Sequence, residues 1–150
     1  AMGVSDGRLV RTSEFATMNM NNVVGLSLAA VFGSMFVFAA PWLGLFGAVV
    51  GGSEASSNVM FFPIQHSAAE AIGFTNAGQN SPAFMTIYGS HANGGGIASA
   101  ITPSKINNAA ATLGAEPKLE SEIMRSHVPP VLLITFVVGM MTAIFIVLGL

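Results

Sequence analysis

From Phe15 to Ser53 the chain carries no Asp, Glu, Lys or Arg, and from Val23 to Val50 nearly every residue is apolar. Two more uncharged blocks follow, Ala71 to Ser104 and Val128 to the terminal Leu150. A bilayer core is about 30 Å thick and takes a helix of about 20 apolar residues. Val23 to Val50 as one straight helix would run about 42 Å, too long for that core. Pro41 lacks an amide proton and clashes with the preceding turn. The pattern therefore predicts a spanning helix over about 23–39 and a shorter piece from Trp42 to Val50, with Trp42 near an interface. The last block predicts a second span over 128–150, Pro129 and Pro130 suiting its first turn.

The middle of the chain is broken up. Val59 to Ile72 would reach only about 21 Å as a helix, too short to cross. The next apolar run, from Pro82 to Ile101, is interrupted by Gly89, Asn93, Gly94, Gly95 and Gly96. A new short helix then opens with Thr102 as N-cap and Pro103 in the first position, and Gly114 closes it. Backbone freed by such breaks cannot face lipid, so it lines a cavity enclosed by protein. Paired short, glycine-broken apolar segments mark the binding site of secondary transporters.

Composition agrees with a membrane chain: 52% hydrophobic and 8% charged, where soluble domains average about 25% charged. The mean hydropathy is +0.67. A net charge of −2 without a Lys/Arg cluster leaves no footprint for nucleic acid, and the absence of cysteine removes disulfides and thiolate metal sites. Residues 1–22 read as a polar N-terminal loop or the cut edge of a longer protein, without the features of a signal peptide. The fold class that follows is all-α: a polytopic helical membrane protein with broken or re-entrant helices, residues 23–150 forming its transmembrane segment.

Few polar residues remain to carry chemistry. A helix N-terminus attracts a carboxylate through its free N–H groups and its positive dipole end. Two such termini are predicted, one after Ser53, Ser56, Ser57 and Asn58, the other at Thr102 with Ser104 and Lys105 in its first turn. Ionisable residues near a bilayer centre are costly, which singles out Glu54, Glu70 and Lys105. His66 and Glu70, four apart, share a helix face and could pass a proton, or could simply form a wetted face near the membrane surface. His91 and His127 are remote in sequence, so no zinc site with recognisable spacing forms and no metal is expected. Glu116, Lys118, Glu120, Glu122 and Arg125 read as a solvated mixed-charge loop.

The stretch GGSEASSN, Gln65, the HANGGG run with its Asn93 and glycines, and the ITPSKINNAAATLG helix opening are together similar to the C-terminal region of the L-lactate permease family, which includes glycolate permeases. The similarity extends from about Trp42 into the last helix. One departure is Ser99, at a position where the family resemblance implies Lys, with Lys105 six residues later. The resemblance implies a long polytopic carrier of 2-hydroxymonocarboxylates in the cell membrane, driven by proton symport, of which this chain would be the final segment and the remainder of the polypeptide a partner. It also implies a substrate cradle of Ser53, Ser56, Ser57, Asn58, Asn93, Gly94, Gly95, Thr102 and Ser104, with Lys105 as counter-charge. Proton sites would be Glu54 or the His66/Glu70 pair. No cofactor is implied. Enzyme readings find no support, since neither phosphate-loop nor dinucleotide fingerprint nor nucleophile elbow is present. A different class stays open: a small structural or assembly subunit of a membrane complex, without a solute site.

Overall fold

The computed structural model describes residues 3–5, 8–10, 19–76, 80–114 and 117–149. Much of the polar stretch 1–22 lies outside the described residues. Its described part is not only loop: β1 (Gly3–Ser5) pairs antiparallel with β2 (Arg8–Val10), Val4 opposite Leu9. All other described elements are helical: α1 (Met20–Phe32), α2 (Phe36–Gly51), α3 (Glu54–Ala71), α4 (Pro82–Ile97), α5 (Pro103–Thr112) and α6 (Pro117–Leu148).

The first apolar block does not break where the sequence predicts. Pro41 sits inside α2. The interruption falls instead at a single 3-10 turn, Gly33–Met35, where Gly33 takes φ 51 and ψ −135, a conformation side chains other than glycine's resist. Gly33 followed by Ser34 is a pair that commonly kinks helices. The last helix also departs from expectation: α6 starts at Pro117, so Pro129 and Pro130 lie in its interior, and Lys118, Glu120, Glu122 and Arg125 of the expected charged loop lie on its first turns, while Glu116 is outside the described residues. There Lys118 and Glu122 face each other at 3.7 Å with i,i+4 spacing, both exposed.

Among the described residues two helical stretches are long and apolar enough to cross a membrane, Met20–Gly51 and Lys118–Leu148. Their outward faces stay apolar, with Val31, Phe46 and Val50 exposed on one and Leu133, Val137 and Val147 on the other, as lipid contact requires. α2 is the hub. It packs on α4 most extensively, then on α3 and α6, while α1 packs on α3. Phe36, Val37, Ala40, Ala68 and Ile87 form one apolar core, and Leu45, Ala48, Ala98, Ile101 and Val131 a second, beside the turn that ends α4. α3 and α4 are about 27 and 24 Å long at 1.5 Å per residue, both shorter than the bilayer core.

Candidate solute site

Two helix starts meet at one place. α3 opens after Gly52, which takes φ 69, and Ser53 caps it, its Oγ accepting from the Ser56 amide at 3.4 Å. α4 ends through the 3-10 turn Ala98–Ala100, and α5 opens at Pro103 behind Thr102. A methyl group added at Gly52 would lie 3.2 Å from the Ser104 hydroxyl, so the two N-termini stand side by side. Glu54 reaches across to α4: its Cγ is 3.1 Å from the place a Cβ on Gly95 would occupy, and its Oε2 is 3.7 Å from that of Gly96. On the same end of α4, the Lys105 ammonium donates to Ser99 Oγ at 2.6 Å. One carboxyl, one ammonium and two helix N-termini thus share a junction, a combination suited to an anion that arrives with a proton. Thr102 is 1% exposed, and its hydroxyl donates to the Ala98 carbonyl at 2.7 Å rather than capping α5.

Residues 93–97 do not break α4, which runs helically through them to Ile97; the break comes at 98–101. The glycines serve helix packing. A Cβ on Gly94 would sit 1.9 Å from the Pro41 carbonyl oxygen, and one on Gly44 would sit 1.9 Å from that of His91. α2 and α4 therefore cross backbone to backbone, which the side chain of any other residue would forbid. The space beside Gly94 belongs to α2. Asn93 is exposed on another side of α4, where it lines a cavity of about 310 Å³ facing α6 with Ser90 and Thr142. It is not brought to the junction. Ser56 is also exposed.

Below the junction lies a buried polar cluster in which His91 is the member that sequence reasoning passed over. His91, Ser57 and Gln65 are each 0% exposed. Gln65 Nε2 stands 2.5 Å from His91 Nδ1 and 3.5 Å from the Ala40 carbonyl, to which it donates. Ser57 Oγ donates to the Gly44 carbonyl at 3.3 Å and lies 3.4 Å from His91 Nε2. One assignment satisfies all four contacts: Gln65 donates to Nδ1, and Nε2–H donates to Ser57. The Gln65 Oε1 is then a buried acceptor without a protein partner, as is Asn58 Oδ1, while the Asn58 carbonyl accepts from the Tyr88 hydroxyl at 2.8 Å. Tyr88 stacks on His91, ring centroids 5.6 Å apart. The available signal was an imidazole inside an uncharged, glycine-rich block. His66 and Glu70 do pair, Nδ1 to Oε2 at 4.0 Å, but three turns along α3 from Glu54 and against Phe62 and Phe84. No group of His, Cys, Asp or Glu able to hold a metal occurs among the described residues.

These features define a helical membrane protein whose discontinuous helices end against one another. The chain belongs to the L-lactate permease family, whose model matches residues 5–149. That family is one of permeases, not enzymes. Over 125 residues the chain is 32% identical to the L-lactate permease of Salmonella typhi, covering 83% of this chain and 21% of that protein. The L-lactate permease of Escherichia coli (strain K12) is 31% identical over 125 residues, with the same shares covered. The glycolate permease of the same strain is 31% identical over 123 residues, 82% of this chain and 20% of that one. The chain thus spans about a fifth of the length of the curated relatives it matches. No solved structure matches it.

Proposed function

We propose that this chain forms part of the solute path of a carrier that moves lactate, or a similar 2-hydroxymonocarboxylate, across the cell membrane together with protons. The observation that supports this most is the junction: the starts of α3 and α5 lie side by side, with Glu54 over Gly95 and the Lys105 ammonium at Ser99. In this reading the free N–H groups of the two helix starts hold the carboxylate, and Ser53 and Ser104 add hydroxyl contacts. Lys105 supplies the counter-charge, and the Glu54 carboxyl stands at the same junction. Ser57, Asn58 and Thr102 shape the floor of the site through the contacts they already make. The lactate and glycolate permeases among its relatives favour a small 2-hydroxy acid over other anions.

Uptake of labelled lactate by cells carrying the full-length protein tests this. Removing a hydrogen-bonding group from a charged ligand costs about 1.5–3 kcal/mol, so Ser104→Ala and Lys105→Ala should each weaken apparent affinity roughly 10- to 100-fold. Normal surface expression must accompany the loss. Unchanged uptake kinetics in both variants would sink the junction as the substrate site.

A further inference from the structure

The cluster beneath the junction is out of keeping with its surroundings. A fully buried imidazole takes both of its hydrogen-bond partners from one neighbouring helix, α3, and next to it an equally buried amide oxygen, Gln65 Oε1, has no protein partner. A buried acceptor left without a donor is costly. A proton on His91 changes that arrangement, because an amide presents an oxygen or an NH2 group by turning over in place. With neutral imidazole the Gln65 NH2 donates to Nδ1. With Nδ1 protonated, the turned amide puts Oε1 on the new N–H, its NH2 group leaves the Ala40 carbonyl it serves in the neutral state, and Nε2–H keeps Ser57 as its acceptor. The imidazole thus keeps a partner on each nitrogen in both protonation states without moving a helix.

A cation in a dehydrated core also needs an opposite charge nearby. The titratable groups facing His91 are few. α3 contributes Glu54, whose carboxyl arm lies over Gly95, one turn along α4 from His91. α4 itself contributes Tyr88, stacked on the ring. α2 contributes none, since Phe36–Gly51 contains no titratable residue and meets His91 only through backbone. Lys105 is held two turns away along α4, at Ser99. The negative charge that would balance His91 is therefore Glu54 or an anion seated at the junction about 6 Å above, one helical turn.

We infer that His91 is the proton-carrying group of this carrier: its Nδ1 gains a proton when a carboxylate occupies the junction and loses it to water when the carboxylate leaves, with Gln65 as the positioning residue that accommodates both states. This rests on the proposed function. Only an N–H bond forms and breaks, and the charge entering as a proton matches the charge entering as the carboxylate. Coupling then follows without a separate device, because a carboxylate at the junction favours the proton on His91 and, reciprocally, the proton favours the carboxylate.

The test uses the full-length carrier in proteoliposomes and, in parallel, ring-nitrogen NMR of the protein labelled with 15N-histidine. Wild type should accumulate lactate roughly tenfold per pH unit of imposed gradient for one proton carried. His91→Gln should lower that accumulation ratio to about one while equal-pH lactate counterflow stays within about threefold, since the free-energy drive is lost but the cradle is not. In the spectra, lactate added at fixed pH should move the His91 signals toward imidazolium in wild type and fail to do so in Gln65→Leu, while in Gln65→Glu, whose carboxylate itself supplies the opposite charge, the signals should lie toward imidazolium before lactate is added. If His91→Gln does not reach the membrane, the Gln65 pair decides. Gradient-driven accumulation that survives in His91→Gln, or His91 signals indifferent to lactate in a wild type that transports normally, would overturn the inference alone. A wild type that neither binds nor moves any 2-hydroxy acid would overturn the proposed function, and this inference with it.

Discussion

His66 and His91 lie on neighbouring helices and both rest against aromatic rings, yet their settings are opposite. His66 packs edge-on to Phe84 at 4.9 Å, its side chain is 16% exposed, and its acidic partner is on its own helix. His91 is fully buried, stacks on Tyr88, and is held by Ser57 and Gln65 of α3 against the backbone of α2. A pair confined to one helix keeps its geometry however the helices move. A cluster assembled across three helices changes as soon as they shift. Carriers of this general type alternate access by moving one group of helices against another. Of the two, only the His91 cluster joins helices that such a movement would shift.

The comparison predicts its largest effect at the crossing that holds His91. In Gly44→Val the new Cβ would fall 1.9 Å from the His91 carbonyl oxygen, and both atoms are tied to helix backbone that cannot yield. The expected outcome is loss of monodisperse protein from detergent extracts, measured by size-exclusion chromatography. Gly89→Ala is the control on the same helix, since nothing lies within 4 Å of its Cβ position. It should leave the profile intact and raise thermal stability by about 0.5–1 kcal/mol, as expected for glycine replaced in a helix interior. Equal tolerance of both changes would mean that α2 and α4 do not cross backbone to backbone.

A smaller effect is expected one step into the cluster. Ser57→Ala removes the partner of His91 Nε2 at a fully buried position and should cost about 1–3 kcal/mol, read as a lowered melting temperature in detergent. Ser56→Ala, its exposed neighbour, should stay within about 0.5 kcal/mol of wild type. Similar melting temperatures for the two variants would show that Ser57 is not a working member of the cluster.

How far the chain could be read in advance follows the same division between local and long-range causes. The opening of α5 was legible because helix-end signals are local: Pro103 and the stop at Gly114, which takes φ 63, lie within a few residues of the ends they control, although the Thr102 hydroxyl turns back to Ala98 instead of capping. The pairing of His66 with Glu70 was legible for the same reason. The glycines of α4 were misread as a break because their partner, the backbone at Pro41, is distant in sequence. Continuity of α2 through Pro41 and of α6 through Pro129 and Pro130 likewise overrode a local rule. His91 was passed over because Ser57 and Gln65 are 34 and 26 residues away. The helix start read after Asn58 falls instead at Glu54, since Ser53 caps α3 and Ser56, Ser57 and Asn58 lie within it.

The smallest effect separates the two histidines most cleanly. Glu70 is 45% exposed in its side chain and meets His66 only at 4.0 Å, a geometry in which an ion pair is worth less than about 0.5 kcal/mol. Glu70→Gln should therefore leave the melting temperature unchanged. It should also leave gradient-driven lactate accumulation within about twofold of wild type, because neutralising a partner held on one helix removes nothing that a helix movement must make or break. Glu54→Gln is the matched change at the junction, the same chemistry on the same helix but over Gly95 and Gly96. There accumulation should fall steeply while equal-pH exchange persists, since the amide keeps the packing but removes a negative charge one helical turn from His91. Parallel accumulation assays on the two variants decide the matter. A steep loss in Glu70→Gln with little change in Glu54→Gln would reverse the assignment and place the working proton on the exposed pair of α3.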